Sequence, residues 1–204
     1  MSGSAPLSSD STPQAGAEDG RSPQVDPLDP PTAALGAAVV ELARHTEDDS
    51  LRQVRWFGLL RSALLLAEQP SLASLLGEDL AASVADDPLH LTSVELESAS
   101  RSADPLESLA QLAWPGGMVG LAAAFALSPG SWQGPSRDAG TAQADGDRPA
   151  QPAAGERLRA IVAVLEDGTR FSAVRQGESR SLALGTALLP DVAEALQDAV
   201  AGGR

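Results

Sequence analysis

The sequence predicts an α+β domain: a mainly antiparallel sheet with helices packed on one side, a disordered N-terminal tail and a long disordered insertion. Three observations carry that expectation. Two β-rich runs, 157–165 and 170–176, flank Glu166-Asp167-Gly168-Thr169, and Asp-Gly between apolar runs is a strong hairpin signal. Residues 90–98 alternate, with Val94 and Leu96 on one face and Glu95 and Glu97 on the other, as in a half-buried strand. Apolar stripes at helical spacing precede and follow these strands, at 32–47 and 190–201.

In chain order, residues 1–31 are Ser, Pro, Gly and Asp with few large apolar side chains. Such a segment buries too little surface to offset its ordering entropy, so a disordered tail is expected. The first helix, 32–47, places Leu35, Val39, Leu42 and Ala43 on one face and turns Glu41, Arg44 and Asp48 away from it. Residues 54–60, centred on Trp56-Phe57-Gly58, read as a buried strand; Leu64 to Leu66 either extend it or begin a short helix. Pro70 resets the chain, and 71–76 make one or two turns that Gly77 can stop. Asp104-Pro105-Leu106-Glu107 supplies an N-cap acceptor, Pro at N1 and Glu at N3, opening a helix that carries Leu106, Leu109, Ala110 and Ala113 inward and ends near Trp114, before Pro115. The apolar run 118–127 is compatible with a strand or a buried helix by periodicity, and Gly116, Gly117 and Gly120 favour the strand.

Residues 128–156 have the composition of the tail and are expected to form a flexible insertion, leaving a single domain over 32–204. In the hairpin that follows, a two-residue Asp167-Gly168 loop pairs Glu166 with Thr169. That register puts Val164 with Phe171, Val162 with Ala173 and Ala160 with Arg175 on a core face. The opposite, partly covered face holds Leu165 with Arg170, Ala163 with Ser172, Ile161 with Val174 and Arg159 with Gln176. The last helix begins at Pro190, with Asp191 at its positive end and Leu189, Val192, Leu196 and Val200 as its stripe; Gly202 and Gly203 end it.

The chemical inventory is narrow. Lys, Asn, Tyr and Cys are absent, all 14 basic residues are Arg, and only His45 and His90 carry an imidazole. No thiolate, lysine amine or Cys-bound metal is therefore available, although codon bias in a GC-rich genome accounts for part of the pattern. A net charge of −14, with no basic stripe, disfavours nucleic acid and anionic membrane surfaces. No signal peptide is seen, and the longest apolar runs, 117–127 and 59–67, are too short to cross a bilayer, so a cytoplasmic location is expected. Phosphate-loop, nucleophile-elbow, zincin and EF-hand patterns do not occur, and no cofactor is expected.

Candidate sites follow from what remains. His45 lies four residues after Glu41, which allows an oriented base but fits an exposed helical pair better. His90, Glu95 and Glu97 invite a metal reading that strand alternation opposes, because the imidazole falls on the face away from the glutamates. Arg157, Arg159 and Arg170 share one hairpin face in the expected register, with Arg175 on the other. Guanidinium forks in line suit an anionic ligand or an acidic partner segment, and equally suit neutralisation of the protein's own acids. Trp132, in the insertion, is a candidate docking element for another protein or for the domain itself.

Residues 55–77 (RWFGLLRSALLLAEQPSLASLLG), Ala113-Trp114-Pro115 with Gly120, the Asp-Gly hairpin, and 185–196 (GTALLPDVAEAL) together resemble a family of uncharacterised conserved actinobacterial proteins. The resemblance runs in order over most of the ordered chain. Its members are often encoded near a PDZ-containing protease and a membrane protein, which implies a helper role. The chain departs from the family pattern at Asp49 to Gln53, where an aromatic-acid-Gln-Pro-Pro stretch is usual. It departs again at Gly116, where an acid is usual, and at Ala126-Leu127, where a Glu-Arg pair is usual. The expectation for function is a non-catalytic cytoplasmic protein acting through protein contacts, including self-association. The alternative is a domain or enzyme that takes a small anion on the hairpin arginines and carboxylates.

Overall fold

The computed structural model describes residues 28–69, 71, 81–82, 84, 86–113, 115–128, 158–176, 182–186 and 188–202. Among them are six strands, β1 (Arg55–Arg61), β2 (Leu91–Leu96), β3 (Gly120–Leu127), β4 (Leu158–Leu165), β5 (Arg170–Gln176) and β6 (Leu182–Gly185). They are accompanied by four helices, α1 (Pro30–His45), α2 (Ser62–Glu68), α3 (Pro105–Leu109) and α4 (Pro190–Gly202). The strands form one sheet in the order β2-β1-β3-β4-β5-β6, every neighbouring pair antiparallel. This is the expected α+β class. The expected tail and insertion, and the turns over 71–76, fall largely outside the described residues.

The helix starts follow local chemistry. Asp29 accepts from the Thr32 N–H at 3.1 Å ahead of Pro30 and Pro31, and those hydrogen bonds hold its carboxyl below the ordinary range. Asp104 accepts from the N–H groups of Leu106 and Glu107, again before a proline. Beyond that cap, α3 is shorter than the sequence predicts: it ends at Leu109, and Leu106 is exposed while Ser108 is buried. The short strand β6, which the sequence does not announce, adds to the far edge of β5.

Helices cover both faces of the sheet, not one. On the first face α1 lays Leu35, Val39 and Leu42 over Phe57, Leu59, Ile161, Leu165 and Phe171. On the second, α4 packs Ala193, Leu196 and Val200 over Trp56, Phe125, Val162 and Val164. The reason is legible in β3 and β4, whose near-continuous apolar runs GLAAAFAL and LRAIVAVL leave no polar face for water. Ala122, Ala123 and Ala124 are fully buried at the sheet centre, and such small side chains permit close helix approach from both sides. Trp56, also fully buried, donates its indole N–H to the buried Ser108 hydroxyl at 2.9 Å and so satisfies both groups.

The hairpin register differs from the expected one by a single residue. Val164 pairs with Arg170, Ala160 with Val174 and Arg159 with Arg175. The Leu165 N–H donates to the Thr169 carbonyl at 2.8 Å and the Leu165 carbonyl accepts from Gly168 at 3.1 Å, so the loop is Glu166-Asp167-Gly168. A two-residue I′ turn needs positive φ at both central residues. Here only Gly168 has it, at 90°, while the Asp167 carboxylate accepts from the Thr169 N–H at 2.9 Å. Consequently Ile161, Ala163, Leu165, Phe171 and Ala173 face α1, while Ala160, Val162, Val164 and Val174 face α4.

In β2 Val94 and Leu96 share one face and Glu95 the other, as expected, but Val94 is not buried. Leu91 is buried under α1, Glu95 shares that face, and Val94 is 43% exposed on the other, where its cross-strand neighbour is Gly58. Gly120 and Gly58 test the packing. A Cβ at Gly120 would collide with the Val164 carbonyl, which is backbone and cannot yield, whereas one at Gly58 would meet only the flexible end of Met118. Gly120→Ala is expected to lower stability by about 1–3 kcal/mol in urea unfolding and Gly58→Ala by less.

Candidate functional site

The antiparallel order brings the start of β1, the start of β4 and the end of β5 to one end of the sheet, beneath the C-terminus of α1. Each contributes an arginine on the α1 face. Arg159 donates through Nη1 to the Thr46 carbonyl at 3.1 Å, which also accepts the Asp49 N–H, and to the carbonyl of Glu47, just beyond the end of the helix. Arg175, 8% exposed, places Nη1 2.6 Å from the Glu47 carboxylate. Arg55 pairs with Asp49 and makes a bidentate contact with Glu95, Nε to Oε1 at 2.8 Å and Nη2 to Oε2 at 2.6 Å. Three strands thereby hold one loop, residues 46–54, by its charges and its carbonyls.

The same loop carries the one non-glycine residue with positive φ among those described: Leu51, at 43°. Its side chain is buried, 5% exposed, and its strained backbone persists because the surrounding contacts hold it. Alongside, His45 presents its ring edge-on to Phe57 with centroids 6.2 Å apart, and the Arg55 guanidinium lies 5.4 Å from that ring's centroid. A depression lined by Ala43, Thr46, Leu51, Arg159, Arg175 and Leu182 opens between helix and sheet. Its space is about 10 Å³, room for roughly one water molecule.

Hydrogen bonding to Arg55 lowers the Glu95 pKa, partly opposed by burial, and the same bond raises that of Arg55. Around this constellation the positive end groups are matched by carboxylates and helix carbonyls of the same chain. Chemically it offers anion exchange at Arg175, where an incoming carboxylate or phosphate would compete with the half-exposed Glu47.

The expected arginine row is not assembled. Arg159 lies on the α1 face, whereas Arg170 is opposite Val164, exposed, on the α4 face; Arg157 and Trp132 lie outside the described residues. The one-residue change of register separates them and sets Arg159 beside Arg175 instead. Among the described residues no hydrogen bond joins His45 to Glu41, and no group of three or more His, Asp or Glu side chains is placed to hold a metal. His90 is at the far end of β2 from Glu95, with Nδ1 2.8 Å from the buried Ser62 hydroxyl, itself 2.6 Å from Thr92 Oγ1. Sequence reasoning missed Arg55, Glu47 and Asp49. The available signal was a helix ending in an acidic stretch, followed at once by a strand that opens on arginine.

Of the positions where the chain departs from the resembled pattern, Asp49 is the Arg55 partner, Ala126 sits opposite Arg159, and Gly116 is exposed with open space around it. The family model of PPA1309-like proteins matches residues 35–201, and the chain belongs to that family. No curated protein and no solved structure matches it. Among the described residues no helix is long and apolar enough to cross a membrane.

Two outcomes test the site. Arg159→Ala removes the donors that hold the turn after α1 and is expected to cost about 1–3 kcal/mol of unfolding free energy, while exposed Arg170→Ala is close to silent. Because the folded Glu95 pKa is depressed, its contribution is full above the ordinary glutamate range and is lost as pH falls through the lowered value. Glu95→Gln should therefore flatten the acid limb of a stability–pH curve measured by denaturant unfolding and leave its slope above neutrality unchanged.

Proposed function

We propose that this member of the PPA1309-like family is a non-catalytic cytoplasmic protein that works through contacts with other polypeptides, in a helper or adaptor role. The observation that supports this most is the outer edge of β2. Among the described residues no strand pairs with it, and it ends the sheet beside β1. Its sequence, LTSVEL, lacks the lysine, proline and bulge by which exposed edges are ordinarily blunted. An edge of this kind accepts another strand through main-chain hydrogen bonds, with alternate side chains providing selectivity. Of the arginines that first invite a ligand, Arg159 instead holds the protein's own loop, which lends further support.

A second reading, binding of a small anion, is favoured by the opposed Arg159 and Arg175 guanidinium groups, but requires Glu47 to move aside. Co-purification from native lysate at physiological salt separates the two. The first reading expects a stoichiometric polypeptide partner, another copy or another chain, that is lost when Ser93→Pro removes an outer-edge donor. A chain that recovers no partner, yet is thermally stabilised by phosphate or citrate in an Arg175-dependent way, would overturn it in favour of the second.

A further inference from the structure

We infer that the strand taken by the β2 edge is β2 of a second copy, paired antiparallel about a two-fold axis at Val94, so that two sheets become one. The inference rests on the edge-contact reading above and specifies its occupant.

The hydrogen-bond pattern fixes which groups are offered. The Ser62 N–H donates to the His90 carbonyl at 3.0 Å, so that rung of the β1–β2 ladder is a hydrogen-bonded one. By alternation, Leu60 with Thr92, Gly58 with Val94 and Trp56 with Leu96 are hydrogen-bonded too. The N–H and C=O groups of Leu91, Ser93 and Glu95 therefore point away from β1. On β1 the Leu59 carbonyl likewise points away from β2, accepting from Val119 at 2.8 Å.

A two-fold antiparallel pair must set these outward groups opposite one another, which centres the axis on Thr92, Ser93 or Val94. With Ser93 at the centre, apolar Leu91 faces the Glu95 carboxylate of the other copy. With Thr92 at the centre, Val94 faces His90, which precedes the strand. With Val94 at the centre, Ser93 exchanges hydrogen bonds with Glu95, Thr92 meets Leu96, and the 43%-exposed Val94 closes on its own counterpart. Only this last register pairs apolar or β-branched side chains along the whole α4-side face of the strand.

Charge is compatible with self-pairing. Glu95 is the strand's one ionised side chain, and Arg55 of the same chain already neutralises it through two hydrogen bonds. Beyond the edge, two chains each carrying −14 repel, so association is expected to strengthen as salt rises.

The absence of cysteine makes a direct test possible on the full chain. In an antiparallel pair a non-hydrogen-bonded couple has Cα atoms about 4.5 Å apart, within disulfide range. Val94→Cys should cross-link to a dimer under mild oxidation, Thr92→Cys should not, and light scattering of the unmodified chain should give twice the monomer mass at high salt. Ser93→Pro replaces an outward N–H that makes no bond among the described residues, so its fold should survive by circular dichroism while the Val94→Cys cross-link is lost. A chain that stays monomeric, or a cross-link indifferent to Ser93→Pro, overturns the inference. If a monomeric chain still captures another protein through β2, the edge-contact reading stands without it; if it captures none, both fall.

Discussion

The loop Glu166-Asp167-Gly168 sets the register on which the rest of the sheet depends. A strand's side chains alternate faces, so the count of residues in one turn decides the environment of every residue in β4 relative to β5. With three loop residues and Gly168 in the left-handed region, Arg159 stands opposite Arg175 and Phe171 falls under α1. One residue fewer would put Phe171 opposite Val164 and set Arg175 opposite apolar Ala160. The close approach of Gly36 in α1 to the Phe171 ring depends on that choice, as does the fit of α4 over Val162 and Val164.

The arginine cluster is a consequence of the same register. Two guanidinium groups directly opposite on neighbouring strands repel, and such pairs are stable only when anionic partners or carbonyl dipoles offset them. The turn that follows α1 supplies both: the carbonyls of Thr46 and Glu47 and the carboxylate of Glu47. The bidentate Arg55–Glu95 pair adds a link from β1 to β2, and together these contacts hold Leu51 in a backbone conformation it would not adopt alone. Arg159, one of the residues that invite a ligand reading in the sequence, here helps to anchor a helix and its loop.

The two ends of the sheet differ. The β6 edge is short, four residues, whereas β2 presents a longer edge whose single charge is internally paired. Val94 lies exposed there because Gly58, across from it, has no side chain to shelter it. Such an edge is a poor termination and a good junction. This physical asymmetry is the feature on which the proposed contact between polypeptides rests.

Local chemistry in the sequence determined most of the elements by itself. The Asp29 and Asp104 caps, the prolines that follow them, the stripes of α1 and α4, and the apolar runs of β1, β3 and β4 are all set by interactions within a few residues. Most of these are identifiable as helix or strand without reference to the fold, whereas the apolar run of β3 fits either until the sheet pairs it with β1 and β4. The α+β class was legible for the same reason, and the motifs that carry the family resemblance all fall within the matched residues 35–201. The continuous apolar character of β3 and β4 also held the information that both sheet faces are covered.

Tertiary structure alone decided the rest. Asp-Gly is compatible with two loop lengths, and the choice between them is made by how Phe171, Val162 and Val164 pack against two different helices. The exposure of Val94 depends on the position of β2 at the edge, and Arg55, Arg159 and Arg175 are brought together from three strands far apart in sequence. Those placements rest on long-range burial and pairing, which no local pattern encodes; for that reason the elements could be read from the chain, and the site only from the fold.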